Sequence, residues 1–129
     1  MKQTNIKNTL ITIALSALVF GVIVTRPYAE QPEVIASYYG ERYRNRPTAS
    51  HHKNWKYSYF NPDELTAAHK TLPFGTKLKV SYKGKSVIVV ISDRGPFVKN
   101  RTLDLSKAAF AKLADLDAGL IKVKYSVLR

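Results

Sequence analysis

The stretch TKLKVSYKGKSVIVVIS, from Thr76 to Ser92, limits the possible folds of this chain more than any other. Leu78, Val80 and Tyr82 alternate with Lys77, Lys79, Ser81 and Lys83, the two-residue period of a strand with one face in a core and its lysines in water. Lys83-Gly84 supplies a tight turn, and Val87 to Ile91 reads as a fully buried return strand. The same alternation recurs near the end, where Ile121, Val123, Tyr125 and Val127 interleave with Lys122, Lys124 and Ser126. VIASYYG, Val34 to Gly40, reads as another strand, and residues 41–61 are polar, aromatic and aperiodic, as loops are. Only one helix is predicted: Ser106 is its N-cap, Phe110, Leu113 and Leu116 share a face, and Gly119 ends it. These elements predict a mainly β, mostly antiparallel domain that closes into a barrel and carries one short helix.

The chain has 129 residues, the size of one domain. Its first 29 residues read differently from the rest. Lys2 and Lys7 precede an uncharged apolar run from Leu10 to Val24, and Arg26-Pro27-Tyr28-Ala29 follows. The run is shorter than the about 20 residues a membrane span needs, so a signal peptide removed after Ala29 is expected, with an uncleaved anchor as the alternative. Either way the remainder is exported, to the periplasm or cell envelope, with a linker at 30–34 and the domain at 35–129. Without the leader the formal charge falls from +12 to +9, a basic balance that favours an anionic surface or polymer. A wall is the more accessible anion outside the cytoplasm; nucleic-acid binding rests on charge alone and is not expected. The chain contains no cysteine, which excludes disulfides, cysteine zinc sites, a thiol nucleophile and an acylated lipoprotein cysteine.

The candidate chemistry lies in TAAHKTLPFGT (Thr66 to Thr76), SDRGPF (Ser92 to Phe97) and RTLDLS (Arg101 to Ser106). Asp93 ends a strand, where rigid backbone presents a side chain to a cleft, and Gly95 and Pro96 fix the bend after it. His69 sits between small residues and a Thr-Leu-Pro turn. Each has a plainer reading: Asp93 and Arg94 as a salt bridge or turn cap, His69 as a hydrogen-bonded packing residue. Trp55, Tyr57, Tyr59 and Phe60 have flat faces that suit sugar rings, or they pack a loop onto the barrel. Asp104 reads as support for the site or a helix cap. His51 and His52 are adjacent and point apart on extended chain, so a metal centre with His69 and Asp93 is not expected.

Taken together, these motifs resemble the rare lipoprotein A (RlpA) family. TAAHKTLPFGT, a strand, DRGPF and R-x-LDLS follow one another at its spacing. ASYYG is similar to its ASWYG-type start, with Tyr38 at the tryptophan position, and RPTAS (Arg46 to Ser50) is similar to its threonine-alanine loop. The match covers about residues 35 to 128. The resemblance implies a six-stranded double-psi β-barrel, also seen in expansins. It further implies an endolytic peptidoglycan transglycosylase that cuts peptide-free glycan strands to 1,6-anhydro ends. It assigns the catalytic carboxyl to Asp93 and its companion to His69. Arg94, Tyr38, Thr48, Trp55 and Tyr59 are the substrate-binding candidates, with Gly95, Pro96 and Asp104 as support. No cofactor or metal is implied. A monomer is expected, with membrane contact only through an uncleaved leader.

There is one departure from the pattern. The family carries a glutamate in its active site at the position Ser58 occupies here, and Glu64 lies nearby but out of register. A barrel that binds wall glycan without cutting it, as expansins do, is the alternative reading.

Overall fold

A computed structural model of the chain describes residues 31–129, so the expected leader, residues 1–29, lies outside the described residues. The strands are β1 (Val34–Tyr39), β2 (Thr66–Ala68), β3 (Lys77–Tyr82), β4 (Lys85–Asp93), β5 (Leu103–Ser106) and β6 (Ile121–Leu128). One helix, α1 (Lys107–Leu113), follows β5. The strands close into a barrel in the order β1-β5-β2-β4-β3-β6. This is the six-stranded double-psi β-barrel with one short helix that the sequence led us to expect.

The β3–β4 hairpin turns at Lys83 and Gly84, whose φ angles of 45° and 80° match the primed turn that suits strand twist. Leu78, Val80, Val89 and Ile91 are buried inward, beside Leu103, Leu105 and Val123. Ala109, Phe110 and Leu113 bring α1 onto the same core. The Ser106 hydroxyl caps α1 by accepting from the Ala109 N–H at 3.2 Å.

Three details depart from the sequence reading. The helix stops at Leu113, because Asp115 starts a separate short turn by accepting the Asp117 N–H; Leu116 and Gly119 belong to that turn. From Val87 to Ile91, β4 is fully buried on one face only. Ile88 is 51% exposed, since a barrel wall has a single core side. Two pairs, β1 with β5 and β2 with β4, are parallel, and alternation within single strands gave no sign of this.

Candidate active site

Three strands set the spacing of the site. Ala68 at the end of β2 is in register with Asp93 of β4 on one side and Asp104 of β5 on the other. The two acids therefore flank Ala68, roughly 10 Å apart at Cα from two strand spacings. A bulge between Ala67 and Ala68 breaks the pairing at this point.

The loop at 48–50 reaches across the barrel mouth to fix Asp93. Asp93 Oδ1 accepts from the Ala49 N–H at 2.8 Å and the Arg94 N–H at 2.9 Å. The Ser50 hydroxyl donates to the Ser92 carbonyl at 2.6 Å, tying the same loop to the same strand. Thr48 is buried, and its hydroxyl donates to the Tyr57 carbonyl at 2.9 Å. Trp55 Nε1 donates to Ser50 Oγ at 3.1 Å, so the indole braces this loop and packs beside Gly75. Ser58 turns into the loop as well: its hydroxyl accepts from the Trp55 N–H at 2.9 Å and donates to the His51 carbonyl.

Arg94 points away from Asp93. Its Nη1 donates to the His69 carbonyl at 3.2 Å and the Leu72 carbonyl at 2.8 Å, and its guanidinium lies 3.8 Å from the centre of the Phe74 ring. Among the described residues the two make no ion pair. Gly95, at φ 121°, makes the bend after Arg94 in a region that a side chain disfavours, and Pro96 follows it, both buried.

The His69 N–H donates to the Asp93 carbonyl at 3.2 Å, which places the two residues side by side. His69 Nδ1 accepts from the N–H groups of Thr71 and Leu72, at 3.1 and 3.0 Å. The neutral ring must therefore carry its proton on Nε2. Burial, and then the charges of Arg94 and Lys70, hold the imidazole below its usual pKa.

Asp104 is half-buried across Ala68 from Asp93. Burial pushes its carboxyl up to about 6, against the Ser37 hydroxyl and Arg101, which favour the ionised form, while Asp93 adds to the rise. Tyr39 completes the group. Its ring stacks on Phe60 at 4.0 Å, and its hydroxyl is buried with no hydrogen-bond partner among the described residues, as is Thr66 Oγ1. Burial, followed by the charges of Asp93 and Asp104, raises its pKa. The sequence offered only a hint of this, the second tyrosine of ASYYG.

A cleft of about 420 Å³ opens beside Asp104, between Tyr38, Tyr43, Arg94 and the 95–98 turn. Tyr38 lines it from the core side, its ring 4.7 Å from Phe110. Phe97, which the sequence reading passed over, stands in this wall 84% exposed. Among the other aromatic candidates, Tyr59 is exposed, and Phe60 is buried under Tyr39. His51 and His52 each turn Nδ1 to a carbonyl of their own loop, Thr48 and Ala49 respectively. No three metal-ligating side chains gather among the described residues.

Comparison with known proteins accords with this geometry. Residues 28–125 match the family model described as lytic transglycolase. A probable endolytic peptidoglycan transglycosylase RlpA of Treponema pallidum is 48% identical over 94 residues, which are 71% of this chain and 28% of that protein. A Nostoc protein of the same name is 43% identical over 98 residues, 73% of this chain and 25% of that protein. The chain thus spans about a quarter of the length of these curated relatives. An expansin structure from Clavibacter michiganensis superimposes with a TM-score of 0.60 at 24% identity, over 77% of this chain and 50% of the expansin, a likeness of fold alone.

Proposed function

The chain belongs to the RlpA family of lytic transglycosylases, and on that premise we propose that it is an exported endolytic peptidoglycan transglycosylase of the cell envelope. Its proposed substrate is the glycan strand stripped of stem peptides, cut between N-acetylmuramic acid and N-acetylglucosamine. The observation that carries this reading is Asp93 itself. Two backbone N–H groups hold Oδ1, and the neighbouring arginine is engaged elsewhere.

In the proposed reaction Asp93 Oδ2 holds a proton and gives it to the bridging oxygen as the C1–O bond breaks. The muramic 6-hydroxyl attacks C1 and returns its proton to the Asp93 carboxylate. The products are a 1,6-anhydro end and a free hydroxyl, with no water consumed, so one carboxyl suffices. His69 serves as a neutral donor from Nε2 to a sugar oxygen, since its other nitrogen is already occupied. Asp104, hydrogen-bonded by Ser37 and protonated below about pH 6, supports the site and takes no part in the proton transfers. Phe97, Tyr38 and Tyr59 supply aromatic faces for pyranose rings, while Thr48, Trp55 and Arg94 act through the loops they hold.

The test is mass spectrometry of peptide-free glycan strands incubated with the purified protein. Anhydro-ended fragments that vanish in Asp93→Asn support the proposal. Strand binding without cleavage at any protein concentration overturns it in favour of a wall-binding barrel. Ser58 is the observation that favours this second reading, because a serine engaged inside its loop stands where the family resemblance implies a glutamate.

A further inference from the structure

The opposite end of the barrel has a groove that the cutting reaction does not use. The β3–β4 turn and the start of β6 enclose about 780 Å³. Lys79, Lys83, Lys85, Lys122 and Lys124 line it, with Glu33 as the single acid in its wall. β4 runs from Lys85 at this groove to Asp93 at the other end, about 26 Å at the usual rise per residue.

These lysines differ from an ordinary solvated face in three ways. None is ion-paired among the described residues; the ion pairs there all involve Arg44 or Glu41. They are also staggered by register. Lys79 lies opposite Ser126 and Ile88, and Lys124 lies opposite Ser81. That offset avoids direct like-charge opposition and spreads positive charge along the groove on a diagonal. Finally, the groove has contacts suited to sugar as well as charge. The Tyr82 ring is half-buried with the Lys83 ammonium 5.2 Å from its centre, and the Ser81 and Ser86 hydroxyls line the same wall. A concave wall of one sign concentrates field and counter-ions more than a convex one.

We propose that this groove binds an acidic glycan strand, a linear polymer with carboxylates at regular intervals along a chain of sugar rings. A peptide-free muramic strand fits that chemistry, because removing the stem peptide leaves each lactyl group as a free carboxylate. The groove then holds the polymer while the Asp93 end works on another part of it. The choice of polymer rests on the proposed function; the charge and shape of the groove do not.

The experiment measures binding of peptide-free strands to Asp93→Asn protein by calorimetry across a salt series. Carboxyl-reduced strands, neutral chitooligosaccharides and inorganic polyphosphate are run alongside. Triple replacement of Lys79, Lys122 and Lys124 by Ser is expected to weaken binding of the acidic strands about tenfold or more and to flatten the salt dependence. The triple Arg replacement is expected to retain binding. An unchanged circular-dichroism melt verifies the fold of both variants. Serine variants that bind as tightly as the parent overturn the proposal, as does equal affinity for carboxyl-reduced strands. Tighter binding of polyphosphate than of acidic strands overturns the glycan assignment. Lysine-dependent binding in a parent protein that yields no anhydro ends upholds the groove and removes only the cutting reaction.

Discussion

Both ends of β4 carry charge, and the two are held in opposite ways. At Asp93 almost every polar group is tied to a distant segment: Ala49 to the carboxylate, Ser50 to the Ser92 carbonyl, Arg94 to the carbonyls of His69 and Leu72. At Lys85 the chain makes a local two-residue turn, and among the described residues the neighbouring lysines make no ion pair. The first arrangement fixes one carboxyl oxygen, Oδ1, which leaves Oδ2 for the proposed proton transfers. The second leaves ammonium groups outside any ion pair among the described residues, suited to attraction without fine geometry. Under the proposed reaction, a rigid end and an adaptable end on one strand would divide the work between cutting a polymer and holding it.

Substitutions test that contrast. The largest effect is expected from Asp93→Asn. The amide oxygen still accepts from Ala49 and Arg94, so the fold persists while release of anhydro products falls about a hundredfold or more, read from product mass spectra. Next is Asp104→Asn, read by chemical denaturation across pH. The folded carboxyl titrates near 6 rather than 3.8, so the native state holds its proton more tightly and stability falls as pH rises through that window. Removing the charge while keeping an acceptor for Ser37 should raise stability at pH 8 by roughly 2 kcal/mol and leave it little changed at pH 4. Ser50→Ala is expected to cost about 1–2 kcal/mol, because the Trp55 Nε1 loses its acceptor and the loop loses its tie to Ser92. It should also slow cutting, as Ala49 drifts from Asp93. The smallest effect is expected at the other end, where Lys122→Ser should move stability by no more than about 0.5 kcal/mol. A large loss there would mean that the lysine groove is part of the barrel's support, and the contrast between the two ends would disappear.

Much of the barrel was legible in the sequence. The lysine alternation of β3, the Lys83-Gly84 turn and the Ser106 cap are all decided within a few residues. Ile88 escaped because a short apolar run does not say which of its faces meets water. The helix end was misjudged because Asp115 caps a new turn that mimics the periodicity of Leu113 and Leu116. Of the candidate site, the sequence supplied Asp93 and His69 as candidates but gave no indication of their partners. Tyr39 and Phe97 stayed hidden because one depends on burial under a loop and the other on exposure at a cleft wall.

The residues alone determined where strands form, where the hairpin turns and which family the chain resembles. The first two depend on backbone preferences and apolar periodicity, whose energies act between near neighbours; the resemblance rests on the ordered motifs TAAHKTLPFGT, DRGPF and R-x-LDLS. The folded barrel alone decided that Ala49 meets Asp93, that Arg94 turns from its neighbour, and that Asp104 is buried deeply enough to hold a proton. Those outcomes depend on direction and dielectric, which exist only once segments more than 20 residues apart are brought together.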